Sequence, residues 1–382
     1  MDKTKSEKTI PLTWAEVDLG AIRHNFRAIK KMVRSPGRCG VQLLAVVKAD
    51  AYGHGMPAVA ALLEKEGVDL FGVSDVKEGI ALRKKGTRKP ILLFESTLPD
   101  LAEQIVRFQL IPTVSNRDIA LALNRFAKSK GKKVPVHVKV DTGMGRLGVG
   151  HEQAVEFIED LRSLPYISVE GIYTHFPSAD SDRKFTQGQI RKMQDIVQQL
   201  SKKGCRLAYV HAANSMGLSC YPTPQFNLAR LGLMLYGLYP SALVRRKIQL
   251  RPALTVKSRI IFLKKIARGR SISYGRTFIA RREMTVATLP IGYSDGYLRC
   301  FSNRAFVLVQ GKRCPVLGRV TMDQIVIDVT KVKPVKLGMT VTVLGGEKGK
   351  SVSADDLAAW AQTINYEIVC CLGSRLPRRY KS

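Results

Sequence analysis

The sequence predicts an α/β protein: an N-terminal (β/α)8 barrel of the TIM type over residues 12–244, followed by a mainly β domain over residues 245–382. Three observations carry this reading. Eight short apolar runs alternate with helix-like stretches within about 200 residues, which suits a closed parallel barrel. After residue 245 the texture changes to closely spaced β-like runs with a single helix-like stretch. No G-x-G-x-x-G follows the first strand, as a doubly wound dinucleotide fold would require.

The eight runs are VQLLAVV (41–47), LFGVS (70–74), PILLFE (90–95), LIPTV (110–114), VPVHVKV (134–140), ISVEGIYT (167–174), RLAYVH (206–211) and FNLAR (226–230). Each is a few residues long, largely apolar and bounded by turn residues, as buried barrel strands are. Between them, MPAVAALLEKEG (56–67), KEGIALRKKG (77–86), DIALALNRFAKSKG (118–131) and QAVEFIEDLR (153–162) place apolar residues three and four apart. Several of these stop at a glycine, a common helix end. In the second domain, β-like runs occupy 253–266, 285–293, 305–320, 324–330 and 340–346, and the helix-like stretch is ADDLAAWAQTI (354–364). The early run TWAEVDL (13–19) precedes the eight barrel strands and has no place among them, which leaves it free to pair with the second domain.

Bulk properties narrow the function classes. The 382 residues carry 62 basic and 31 acidic side chains, a net charge of +31. Such a charge concentrates anionic small molecules and attracts nucleic acid non-specifically. The basic residues are scattered in doublets and triplets, however, with no zinc spacing, RNP-like aromatic motif or basic tail, so they read as solvated surface and not as a specific nucleic-acid interface. Seven cysteines without a C-x-x-C indicate neither a disulfide framework nor a metal site. Residues 1–14 lack the apolar core of a secretory signal, and no run approaches 18 apolar residues. A cytoplasmic protein that uses no membrane is the expectation.

Reactive groups of such a barrel sit at the carboxyl ends of its strands, with phosphate commonly bound after strands seven and eight. Lys48 falls just past strand one, Lys139 and Arg146 flank the end of strand five, and His175 closes strand six. Asn214 and Ser215 follow strand seven, while Arg230 and Gly232 mark the end of strand eight. Polar groups from five strands are thus directed to one mouth.

With these residues placed, the chain resembles the alanine racemases, fold-type III enzymes that use pyridoxal 5′-phosphate. The motifs are AVVKADAYGHG, KVDTGMGRLG, GIYTHF, HAANS, NLARLGLMLYG, SYGRT, IGYSDG, GRVTMDQ, INYEI and CLGSRLPR, in that order along nearly the whole chain. The resemblance implies that Lys48 carries the cofactor and is one catalytic base. Tyr274 is then the second base, contributed by the neighbouring subunit of a homodimer. Racemisation removes a proton from one face of Cα and returns one to the other, so it needs two acid/base groups. A free tyrosine gives up its proton near pH 10, and the resemblance supplies help in a hydrogen-bonded relay of Tyr274 with His175 and Arg230. The matching arginine faces the cofactor's ring nitrogen. Because arginine keeps its proton, that nitrogen stays unprotonated and the ring is a weaker electron sink, which favours a clean proton swap.

The same resemblance assigns the phosphate cradle to Asn214, Ser215, the backbone at Gly232 and Leu233, and the hydroxyls of Tyr52 and Tyr366. Arg146 approaches the cofactor's phenolic oxygen and the substrate carboxylate. Lys139 occupies a position carbamylated in many members, where the modification turns repulsion of that arginine into attraction. Tyr293 narrows the entrance, and the Met322 backbone holds the substrate carboxylate from the partner chain. Two departures are visible: Thr321 replaces a frequent cysteine, and HFPSADSD has a proline where a small residue is common. The implied reaction interconverts L- and D-alanine for peptidoglycan precursors. A serine or broad-specificity racemase is the enzyme alternative, since a methylene or hydroxyl discriminates by only about 1–3 kcal/mol in an apolar site. A non-catalytic pyridoxal-phosphate carrier would lack both the second domain and a Tyr274 equivalent.

Overall fold

The computed structural model describes residues 10–33, 40–221 and 226–382; the signal-free reading of the amino terminus therefore falls partly outside the described residues. Two units divide the chain: Ala21–Arg251 form one, and Met1–Gly20 with Pro252–Ser382 form the other.

In the first unit, eight parallel strands run Gln42–Val46, Leu70–Val73, Ile91–Ser96, Ile111–Val114, Val134–Asp141, Ile167–Tyr173, Tyr209–His211 and Leu228–Leu231. Strand eight pairs in parallel with strand one, Arg230 opposite Leu44, so the order wraps round from eight through one to seven. Between strands seven and eight the ladder is replaced by Asn227, whose N–H donates to Val210 O at 3.1 Å and whose Oδ1 accepts from Val210 N–H at 2.8 Å. A side chain thus supplies the acceptor that the ladder lacks, and the barrel is nearly closed.

The intervening helices start where their sequences offer caps. Asp75 accepts from Glu78 N–H before Val76–Lys84, Asn116 from Ile119 N–H before Arg117–Ser129, and Asp182 from Phe185 N–H before Arg183–Lys202. Each such cap contributes about 1 kcal/mol. Leu44, Val46, Leu70, Leu92, Ile111 and Leu228 form an apolar cluster in the strands, each side chain contributing about 1.5–3 kcal/mol by leaving water. Continuous Val, Ile and Leu runs fold as buried strands because both of their faces are covered.

In the second unit, a ten-stranded sheet contains Thr13–Asp18 between Leu254–Arg259, its antiparallel neighbour, and Arg378–Lys381, its parallel one. Glu16 within that strand pairs with Lys257 and Lys381. The helix-like stretch is shorter than its apolar pattern, Ala354–Ala361, because Gln362 adopts φ 57° and ends it. A second short helix follows, Asn365–Cys370, where the sequence shows only one helical stretch. Its first four residues, NYEI, alternate like a strand. An Asn365 Nδ2 bond to Asp355 Oδ1 at 2.7 Å ties it to the preceding helix.

Candidate active site

Arg230 stands in strand eight with 4% of its surface exposed. Its NH2 group donates to Thr174 O at 2.8 Å, to Ala212 O at 2.9 Å and to His175 Nδ1 at 3.2 Å; NH1 donates to His211 Nδ1 at 2.9 Å. A guanidinium can only donate, so Nδ1 of both rings must be bare and the remaining proton of each lies on Nε2. His211 therefore donates from Nε2 to His137 Nδ1 at 2.9 Å, and the third ring is forced into the same tautomer. One arginine fixes three imidazoles.

Burial and the same positive charge keep these rings neutral. His175 is pushed down to about 2, by burial first and then by Arg230, Lys139, Arg146 and Lys48. His137 falls to about 3 and His211 well below the ordinary histidine range, for the same two reasons. Burial lowers Arg230 itself to about 10, still protonated near neutrality. Tyr173 lies flat against His211, with ring centroids 4.6 Å apart, and its hydroxyl bonds Thr113 Oγ1 at 2.7 Å.

Lys139 lies in strand five, two residues after His137, and the period of a strand puts both on one face. It is 4% exposed, with Nζ 4.6 Å from the Tyr173 ring centroid. Burial, then Arg230 and Arg146, hold its proton affinity well below that of an ordinary lysine, against a smaller pull from Asp141. Arg146 is exposed on the loop after the strand. Asp141 shapes that loop by accepting from the N–H groups of Gly143, Met144 and Gly145 at 2.8, 2.9 and 3.0 Å.

Lys48 opens a five-residue turn, Lys48–Tyr52, in which Ala49, Asp50, Ala51 and Tyr52 have φ of 51°, 52°, 56° and 53°. Left-handed helical backbone costs a non-glycine residue about 1–2 kcal/mol, so this segment is strained. At the end of strand eight, a Cβ added to Gly232 would lie 2.9 Å from the Tyr52 hydroxyl. Leu233 begins the next 3-10 turn, Leu233–Tyr236. Asn214 caps Ser215–Cys220 by accepting from Gly217 N–H at 2.9 Å, and Ser215 is buried. Strand ends one, five, six, seven and eight thus carry Lys48, Lys139, His175, Asn214–Ser215 and Arg230–Gly232.

The remaining predicted residues belong to the second unit. Tyr274, 72% exposed, sits between two left-handed residues, Ser273 at φ 63° and Gly275 at φ 67°. Ser273 Oγ donates to Arg319 O at 2.6 Å and secures the turn. Tyr293 and Met322 lie on facing loops: Tyr293 N–H donates to Thr321 O at 3.1 Å, and Ser294 Oγ to Met322 O at 2.7 Å. A Cβ on Gly292 would fall 2.2 Å from that Met322 oxygen, so only glycine fits there. Tyr366 is half-buried on Asn365–Cys370.

His137 and His211 were not among the residues singled out in sequence. The available signal was a polar residue inside a run otherwise apolar, VPVHVKV, two positions from a lysine.

The donor set fits pyridoxal phosphate. Lys48, Arg146 and Arg230 all act on His175, a concentration of positive charge suited to a phosphate and a carboxylate. Gly232 leaves space beside the Tyr52 hydroxyl that a side chain would fill. Among the described residues no group of three or more His, Cys, Asp or Glu is arranged to hold a metal ion, and no helix is long and apolar enough to cross a membrane.

Known proteins place this geometry. Residues 17–240 match the family model "Alanine racemase, N-terminal domain", and residues 253–380 match "Alanine racemase, C-terminal domain". The alanine racemase of Halothermothrix orenii is 43% identical over 97% of each chain. The solved alanine racemase of Clostridium difficile 630 superposes with a TM-score of 0.92 at 37% identity, covering 98% of this chain and 97% of that one. A histidine racemase from Leuconostoc mesenteroides is more distant, with a TM-score of 0.88 at 28% identity and coverage of 98% and 99%. The barrel, the β domain and both family models agree: this chain belongs to the alanine racemase family of pyridoxal-phosphate-dependent isomerases.

Proposed function

We propose that the chain interconverts L- and D-alanine by a two-base mechanism, with Lys48 and Tyr274 exchanging protons at Cα from opposite faces. The observation that carries this reading is the web around Arg230. It leaves His175 neutral, with Nε2–H as its remaining donor. A donor offered to a phenolic oxygen favours the phenolate, which suits a tyrosine base working near neutrality. Bound pyridoxal phosphate would supply the electron-withdrawing ring that weakens the Cα–H bond. Arg230, a donor with a fixed proton, would face the ring nitrogen.

Lys48 Nζ would take or return the proton on one face. Asn214, Ser215, Gly232, Leu233, Tyr52 and Tyr366 would bind phosphate, and Arg146 with the Met322 backbone would orient the substrate carboxylate. Tyr293 would limit side-chain size. Tyr274, Tyr293 and Met322 are 72%, 42% and 53% exposed in the single chain. Such exposure supports their delivery to a second copy's barrel in a homodimer. The depressed proton affinity of Lys139 supports its carbamylation, since the neutral amine is the form that adds carbon dioxide. The product would serve peptidoglycan synthesis in the cytoplasm.

A serine or broader racemase is the second reading. The histidine racemase of Leuconostoc mesenteroides supports it, because that enzyme is named for another side chain on a similar scaffold. The purified protein, loaded with pyridoxal phosphate, should racemise L-alanine faster than L-serine. In deuterated water, Lys48→Ala should abolish exchange at Cα. Tyr274→Phe should slow exchange from L-alanine by at least about 10²-fold, the usual worth of a general base, without emptying the cofactor site. Normal exchange in the tyrosine variant would remove the two-base assignment.

A further inference from the structure

We propose that Glu78 is a positioning residue for Lys48, its carboxylate clamping the strained left-handed turn that presents Lys48 and Tyr52 together. The proposal rests on Lys48 as the cofactor lysine. L-residues enter the left-handed region singly, and a run of four persists only where the surroundings over-determine it.

Part of the turn's bonding is its own: Ala51 N–H donates to Val47 O at 2.8 Å and Gly53 N–H to Ala49 O at 3.0 Å. A right-handed turn would also satisfy such local groups, so they do not select the hand. The His54 ring adds a near neighbour's bond, its Nδ1 3.1 Å from Ala51 O and 2.8 Å from Tyr52 O, and the restraint that reaches the turn from another strand–helix unit is the Glu78 carboxylate. Oε1 accepts from Ala49 N–H, the amide immediately after Lys48, at 2.6 Å, and Oε2 accepts from Ser74 N–H at 2.8 Å. Glu78 is itself anchored, its own N–H bonded to the capping Asp75 at 2.9 Å on helix Val76–Lys84. One carboxylate therefore ties the turn after strand one to the end of strand two. From the middle of the turn, Asp50 Oδ1 accepts from Met56 N–H at 2.7 Å and sets where the next helix begins. Tyr52, whose ring stacks on Tyr236 with centroids 5.0 Å apart, is thereby brought beside Gly232. The hand of the turn decides whether the lysine and the tyrosine serve one site.

The test compares full-length wild type, Glu78→Ala, Ala49→Gly and the double variant. Two readouts are taken: the apparent Kd for pyridoxal phosphate by absorbance titration, and hydrogen exchange of the amides of residues 49–53 without cofactor. Glu78→Ala should weaken cofactor binding about tenfold or more, the equivalent of one left-handed residue left unsupported, and should speed exchange at Gly53. Ala49 is exposed, so glycine there removes little packing while adopting positive φ without steric cost. The double variant should recover to within about threefold of wild type. A loss due only to charge or packing would not be rescued by glycine.

Unchanged binding and exchange in Glu78→Ala, or failure of the glycine rescue, would overturn the clamp. Glu78→Gln, which keeps one accepting oxygen, should be intermediate and covers a failure of the alanine variant to fold. Should wild type itself not bind the cofactor on Lys48, the functional reading fails, while amide exchange still decides the clamp.

Discussion

Lowering the pH from 8 to 5 should remove on the order of 6 kcal/mol from the folding free energy, through three histidines. In the unfolded chain each titrates near 6.5. In the folded chain His175 is pushed down to about 2 and His137 to about 3, with His211 also far below its ordinary range, so all three remain neutral at pH 5. Below pH 6.5 the unfolded state therefore binds more protons, and stability falls as pH falls. Each imidazole contributes about 1.36 kcal/mol per pH unit once past its unfolded pKa, hence roughly 2 kcal/mol by pH 5 and ~6 kcal/mol for three. Above pH 6.5 the contribution is fully present. Glu78 and Glu170, raised by burial, act in the opposite direction and offset part of this. In Asp141, backbone amides and Lys139 override the upward push of burial, so that carboxylate matters only at lower pH. A loss of this size approaches the whole stability of a typical domain. The assay is urea denaturation at fixed ionic strength and one protein concentration, from pH 8 to 5, read as proton uptake on unfolding. Replacing His211 with Gln should remove one proton from the slope. Uptake below one proton per chain near pH 5 would refute the reasoning, because the rings would then be titrating within the fold.

Gly232→Ala should weaken pyridoxal phosphate about tenfold, since its Cβ would crowd the Tyr52 hydroxyl at 2.9 Å; absorbance titration reads the change. Incubation with 13C-bicarbonate should give a carbamate carbon signal that disappears in Lys139→Ala, and an identical spectrum in the variant would remove that assignment.

The barrel strands were legible because a strand buried on both faces writes itself as a largely apolar run. The candidate site was legible to the extent that it lies at the ends of those runs: Lys48, His175 and Arg230 each interrupt or follow one. What sequence could not show is pairing across the barrel. His137 and His211 are 74 positions apart yet bond at 2.9 Å, and neither residue signals the other locally. The left-handed turn was equally hidden. Only Asp50 among Ala, Asp, Ala and Tyr favours positive φ, and the clamp inferred to hold the hand reaches in from Glu78, 29 positions from Ala49. Asn365–Cys370 failed for a third reason: six residues are too few for a helical period to outweigh an alternating pattern.

The most direct test of the account is to load the protein with pyridoxal phosphate, reduce it with borohydride and map the labelled peptide. The cofactor should be fixed on Lys48, and Lys48→Ala should carry none. Label on Lys139, the other lysine beside His175, or no label on either, would contradict the assignment on which every other role depends.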